Sequence, residues 1–167
     1  MQQKHRHILF VLLLLLCSYS VTLAQTVPTI KVEGEVTHPL SLTGQDLAAM
    51  KRTEVSATDR DGKEHHYTGV ALADILQQAG ATIGSQLRGE NMAKYLLVKS
   101  SDGYEVVFSL PELDTAFTNR IVILADQQDG QPLPQGKGPW RIVVPGEKRP
   151  ARWIWQVSTM VVRFAKE

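Results

Sequence analysis

DGQPLPQGKGPWRIVVPGEKRPARW, residues Asp129–Trp153, carries five cations (Lys137, Arg141, Lys148, Arg149 and Arg152) around two tryptophans and between Gly/Pro turns. The rest of the chain is close to charge-neutral. Guanidinium groups make paired hydrogen bonds to phosphate or carboxylate, and aromatic faces stack on rings. A turn-rich basic loop with tryptophans therefore suits a flat, phosphorylated, anionic ligand. The plain alternative is a solvated loop in which Glu147 partners one cation. Within the stretch, Arg141–Val144 reads as a short strand that stops at Pro145-Gly146.

Short strands surround this loop. Ile30–Val36 and Glu54–Thr58 alternate apolar and polar residues, as half-buried strands do. Asp61-Gly62 is a turn, with Lys63–Thr68 as its returning strand. Thr43 is placed to cap a short helix over Gly44–Met50. In Ala71–Ala79, Leu72, Ile75, Leu76 and Ala79 recur at three- and four-residue steps, which predicts a helix that Gly80 ends. Lys94–Ser100 and Tyr104–Ser109 form a hairpin around Asp102-Gly103. Leu110–Leu113 reads as a single turn, Ile121–Ala125 as a short buried strand, and Arg152–Phe164 as one long strand. The sum predicts a single compact α+β domain, mostly β.

The first 24 residues read as a secretory signal peptide, with Lys4 and Arg6 before the apolar run Ile8–Leu16 and a small residue, Ala24, at the cleavage position. The domain then spans 25–167, in the periplasm or outside the cell. The leader shows no Arg-Arg pair of the twin-arginine kind. Cys17 follows Leu16, which does not suit a lipidation site. No later apolar run is long enough for a membrane span. Of 18 lysines and arginines, Lys4 and Arg6 leave with the leader, so the remaining bases stand one short of the 17 acids. Nucleic-acid binding, which calls for a basic excess, is not expected. Cys17 is the only cysteine. The mature chain thus has no thiol for a disulfide, a nucleophile or a metal.

Five segments in order carry a family resemblance: Tyr67–Leu76, Ser101–Tyr104, Asp129–Pro134, Gly138–Gly146 and Arg149–Trp153. Together they resemble the sulfite oxidase-type molybdopterin-binding domain from about Ile30 to Val162. The resemblance implies a compact, mostly β fold that binds one molybdopterin and uses molybdenum for redox chemistry. It implies cofactor-binding roles for Arg141, near the pterin phosphate, and for Arg149, Arg152 and Trp153, which match an Arg-x-x-Lys-Trp pattern with Arg at 152. Arg keeps the charge but offers a planar fork.

The family holds its metal by one cysteine thiolate, in the loop after the strand that corresponds to Glu54–Thr58. Here that region reads Ser56-Ala57-Thr58-Asp59-Arg60-Asp61-Gly62 and has no cysteine. A carboxylate does not reproduce a soft thiolate. The family's histidine before the Gly-x-Pro-x-Arg segment is also missing, with Gln135 and Lys137 nearby. Holoenzymes of this type usually leave the cytoplasm folded, by the twin-arginine route, whereas this leader is of the general secretory kind. These departures suggest a non-catalytic domain without molybdopterin or metal, which binds a small anionic ligand or a protein partner. An alternative is a molybdopterin-dependent oxidoreductase with an oxygen ligand such as Asp59. A third is a pure interaction module.

Several other residues suit plainer roles. His65 and His66 point to opposite faces of a strand, which disfavours joint chelation. Trp153 and Trp155 would share one strand face, which favours core packing for at least one. Tyr104 is either a pocket donor or an ordinary hairpin aromatic. No Ser/His/Asp triad, phosphate-binding Walker loop or dinucleotide fingerprint is present.

Overall fold

The computed structural model describes residues 27–165. The expected signal peptide, residues 1–24 with Cys17, lies outside them. Ten strands and three short α-helices are present among the described residues.

The first sheet is built on β1 (Thr29–Gly34), which buries Ile30 and Val32 and turns Lys31 and Glu33 outward. β2 (Leu40–Thr43) returns antiparallel to it. Thr43 caps α1 (Gly44–Ala49), accepting from the Asp46 N–H while the Asp46 carboxylate accepts from the Thr43 N–H at 2.8 Å. This reciprocal arrangement satisfies two donors at the helix start. β5 (Lys94–Ser100) and β6 (Glu105–Ser109) form the expected hairpin. α3 (Leu110–Leu113) follows, capped by Ser109 with Glu112. β10 (Val157–Phe164) completes the sheet in the order β2-β1-β10-β5-β6, with β1 and β10 parallel.

The second sheet runs β3-β4-β7-β8. It contains β3 (Thr53–Thr58), β4 (Glu64–Ala71), β7 (Ile123–Gln128) and β8 (Gln131–Pro132), with β9 (Arg141–Val143) also paired to β7. β4 leads straight into α2 (Leu72–Gln78), whose Leu72, Ile75 and Leu76 are buried. Gly80, at φ 68°, ends the α2 turn in a conformation that side chains rarely adopt. Gly69 is needed for a different reason. A Cβ there would lie 2.1 Å from the Leu124 carbonyl oxygen, at the register shift between β4 and β7. The inner faces of both sheets and α2 share one core, which includes Ile30, Val32, Ile75, Phe108, Ile142 and Met160.

Two expected boundaries move. The buried strand begins at Ile123, because the Val122 carbonyl instead accepts the first N–H of α2, from Leu72, at 2.9 Å. Arg152–Phe164 is not one strand. Pro150–Arg152 forms a 3-10 turn, and Gln156 takes φ 52° before β10 begins. Between them the chain crosses from one sheet to the other. The Ile142 N–H donates to the Ile154 carbonyl and the Val157 N–H to the Trp140 carbonyl. β9 is thereby held between β7 and the Ile154–Trp155 segment, with an isolated bridge from Arg141 to Trp155.

Candidate functional site

Arg141 opens β9 and is 0% exposed, the largest buried polar side chain among the described residues. Burying a guanidinium is costly unless it is paired. Its partner is Asp59, at the start of the turn after β3, where Arg141 Nη1 donates to Oδ2 at 2.9 Å. Asp59 follows buried Ala57 at a two-residue step, which keeps it on the inner face. The Tyr67 hydroxyl of β4 donates to the same Asp59 oxygen at 2.8 Å and accepts from Arg141 Nη1 at 3.3 Å. Asp59 Oδ1 takes the Arg60 N–H at 2.8 Å.

Burial alone pushes the Asp59 carboxyl up. The hydrogen bonds from Arg141, the Arg60 N–H and Tyr67 outweigh it and hold the carboxyl well below the usual carboxylate range. Burial, then the bond to Asp59, drives the Tyr67 phenol far up, so it stays a donor. Asp59 is thus a fixed anion and Arg141 its fixed counter-ion.

Aromatic rings enclose this pair. The Arg141 guanidinium lies 5.2 Å from the Tyr67 ring centre, 5.4 Å from that of Trp153 and 5.6 Å from that of Trp155. Tyr67 and Trp153 meet edge to face at 5.9 Å and 87°. Such contacts favour a desolvated cation. Arg141 Nε and Nη2 and both indole N–H groups have no acceptor among the described residues.

The other cations of the basic loop go elsewhere. Arg152 pairs with Glu147, through Nε at 2.8 Å and through Nη2, and with Glu112 at 3.2 Å. It also donates to the Val107 carbonyl at 3.2 Å and covers the Phe108 ring at 4.4 Å. Since Glu112 caps α3, Arg152 ties that helix to the loop, and Glu147 is the loop acid expected to neutralise one cation. Arg149 and Lys148 are exposed. Trp153 is buried beside Arg141. The structure therefore brings Arg141 and Trp153 together, while Arg152 and Arg149 have separate surroundings.

Sequence reasoning missed Tyr67, Arg60 and the central place of Trp155. Arg60 lies over Trp155 at 5.0 Å and Lys137 at 5.1 Å. The inward step from Ala57 to Asp59 was the available signal. Tyr104, the hairpin aromatic, donates its hydroxyl to the Ala151 carbonyl at 3.1 Å. With Arg60, Trp153 and Trp155 it lines a cavity of about 320 Å³. His65 lies between Asp61 at 3.1 Å and Asp129 at 2.6 Å, while His66 is on the open face near Glu54. The bond to Asp129, then that to Asp61, raises the His65 pKa.

This donor set does not fit a thiolate-held metal. Residues 27–165 contain no cysteine, and both oxygens of Asp59 are engaged by Arg60, Tyr67 and Arg141. No group of three His, Cys, Asp or Glu residues among the described residues is placed to hold a metal ion.

Comparison with known proteins agrees with the architecture. Residues 23–163 match the oxidoreductase molybdopterin binding domain family. No curated protein sequence matches. The fold is similar to the crystal structure of the sulfane dehydrogenase SoxCD from Paracoccus pantotrophus, with TM-score 0.66 and 20% identity over 89% of this chain. The chain spans only 41% of that chain's length. With a mostly β single domain and a family match over most of its length, the chain belongs to the oxidoreductase molybdopterin binding domain family.

Proposed function

We propose that this chain is an exported, non-catalytic member of its family that carries no molybdenum and acts as a binding module. The observation that carries the reading is Asp59. In the loop where the family has its thiolate stands a carboxylate bonded to Arg141 and Tyr67 and closed to a metal. Arg141, the cation that would meet an anionic cofactor, already has an internal counter-ion. The frame is retained, and its surface cavities serve a small anionic ligand or a protein partner. This reading disfavours Asp59 as an oxygen ligand for molybdenum, since that role would strip Arg141 of its partner in a buried place.

A domain that depends on no cofactor folds without one. The chain, unfolded in denaturant, dialysed against a chelator and refolded, is expected to regain its original near-ultraviolet circular dichroism and melting temperature. Recovery only after adding molybdenum cofactor would overturn the reading.

A further inference from the structure

Three cations gather on one indole. Arg60, Lys137 and Arg141 lie 5.0, 5.1 and 5.6 Å from the Trp155 ring centre. Asp59 neutralises Arg141, but Arg60 and Lys137 enter no ion pair among the described residues. The negative face of the ring attracts each of them, yet their mutual repulsion remains. An anion is the species that would relieve it.

A second observation comes from the walls. The cavity of about 320 Å³ is lined by Arg60, Trp155, Trp153, Tyr104, Ser100 and Asp102. Trp153 is 2% exposed and Trp155 is half-buried, so both rings are held as fixed walls. Aromatic walls favour a flat guest. The volume falls at the low end of ligand pockets, roughly 300–1,000 Å³, and suits one or two rings. Asp102, the carboxylate of the lining, has Oδ1 on the Tyr104 N–H at 2.9 Å. Its charge disfavours a dianion such as phosphate and leaves a polar end for a ligand hydroxyl.

We propose that this cavity binds a small planar monoanion, an aromatic carboxylate, with the carboxylate at Arg60 and the ring against the Trp155 wall. The assignment rests on the reading that no molybdenum cofactor claims these residues.

Salicylate titrated into the refolded chain, followed by tryptophan fluorescence and calorimetry, tests it. Saturable binding is expected, weakened at high salt and at least tenfold weaker in Arg60→Gln. The neutral analogue salicylamide is expected not to bind. The melting curve of Arg60→Gln should match the wild type, which separates lost binding from lost folding. No saturable binding, equal binding of salicylamide, preference for inorganic phosphate, or unchanged affinity in Arg60→Gln would each overturn the assignment. Molybdenum content of protein from its native host tests the metal-free reading separately. Metal there would overturn that reading, while the titration of the refolded chain judges the cavity.

Discussion

Arg141 and Asp59, 82 residues apart in sequence, meet at 2.9 Å inside the protein and join the second sheet's β9 to the turn after β3. A buried pair of this kind adds little net stability compared with apolar packing. Breaking it by removing one partner is costly, because a charge is left alone. Asp59→Asn is therefore expected to destabilise the fold by roughly 3–5 kcal/mol. Arg141→Met combined with Asp59→Asn should cost less than the two single changes added together. Urea unfolding of the three variants measures both.

The same pair sets an acid limit. The folded-state pKa of Asp59 lies below its unfolded value, so its contribution is fully present above the ordinary carboxylate range and is lost as pH falls through the lowered value. Wild-type stability should drop in that acid range, and Asp59→Asn should show a flatter profile. Equal acid slopes for the two proteins would remove Asp59 as the cause.

His65 acts in the opposite sense. Its pKa is raised by Asp129 and Asp61. Its contribution is full below the ordinary imidazole value and is lost as pH rises through the raised one. Both acids are about half exposed, so the effect is modest. The melting-temperature gap between wild type and His65→Gln should be largest near pH ~5.5 and small near pH ~8.5, on either side of that titration. A gap independent of pH would contradict the ion-pair account.

The close approach of β4 and β7 at Gly69 leaves no room for a methyl group. The obstacle is the Leu124 backbone, which cannot swing aside as a side chain can. Gly69→Ala is expected to cost about 3 kcal/mol, at the upper end of overpacking, or to prevent folding. A variant within ~0.5 kcal/mol of wild type in urea would mean that the two strands separate readily enough to admit the methyl group.

Arg152 and Arg149 should differ as their surroundings do. Arg152→Gln loses two carboxylate partners on partly exposed side chains, for roughly 1 kcal/mol. Arg149→Gln, on the surface, should stay within ~0.5 kcal/mol. Urea midpoints compare them, and the reverse order would contradict the placement.

Much of the fold was legible because its signals are local. The Thr43 cap, the Asp102-Gly103 hairpin and the Leu72–Ile75–Leu76 face each lie within one element. The family match rested on the order of five such segments. The Arg152–Glu147 pair was also legible, being five residues apart. The partnership of Arg141 with Asp59 was not, because nothing in either segment names a partner 82 residues away. The break at Gln156 was hidden for another reason. Its flanks are as β-branched and aromatic as a continuous strand, while the turn is imposed by the crossing between sheets. Placing Trp155 among Arg60, Lys137 and Arg141 required both the break and the pair.

In the proposed function Asp59 stands where a metal-binding thiolate would, and the chain works without molybdenum. The most direct measurement is molybdenum and pterin per chain in protein purified from its native host, by elemental analysis and by fluorescence of the oxidised pterin. Neither is expected above trace level. Stoichiometric molybdenum with pterin would contradict the proposed function.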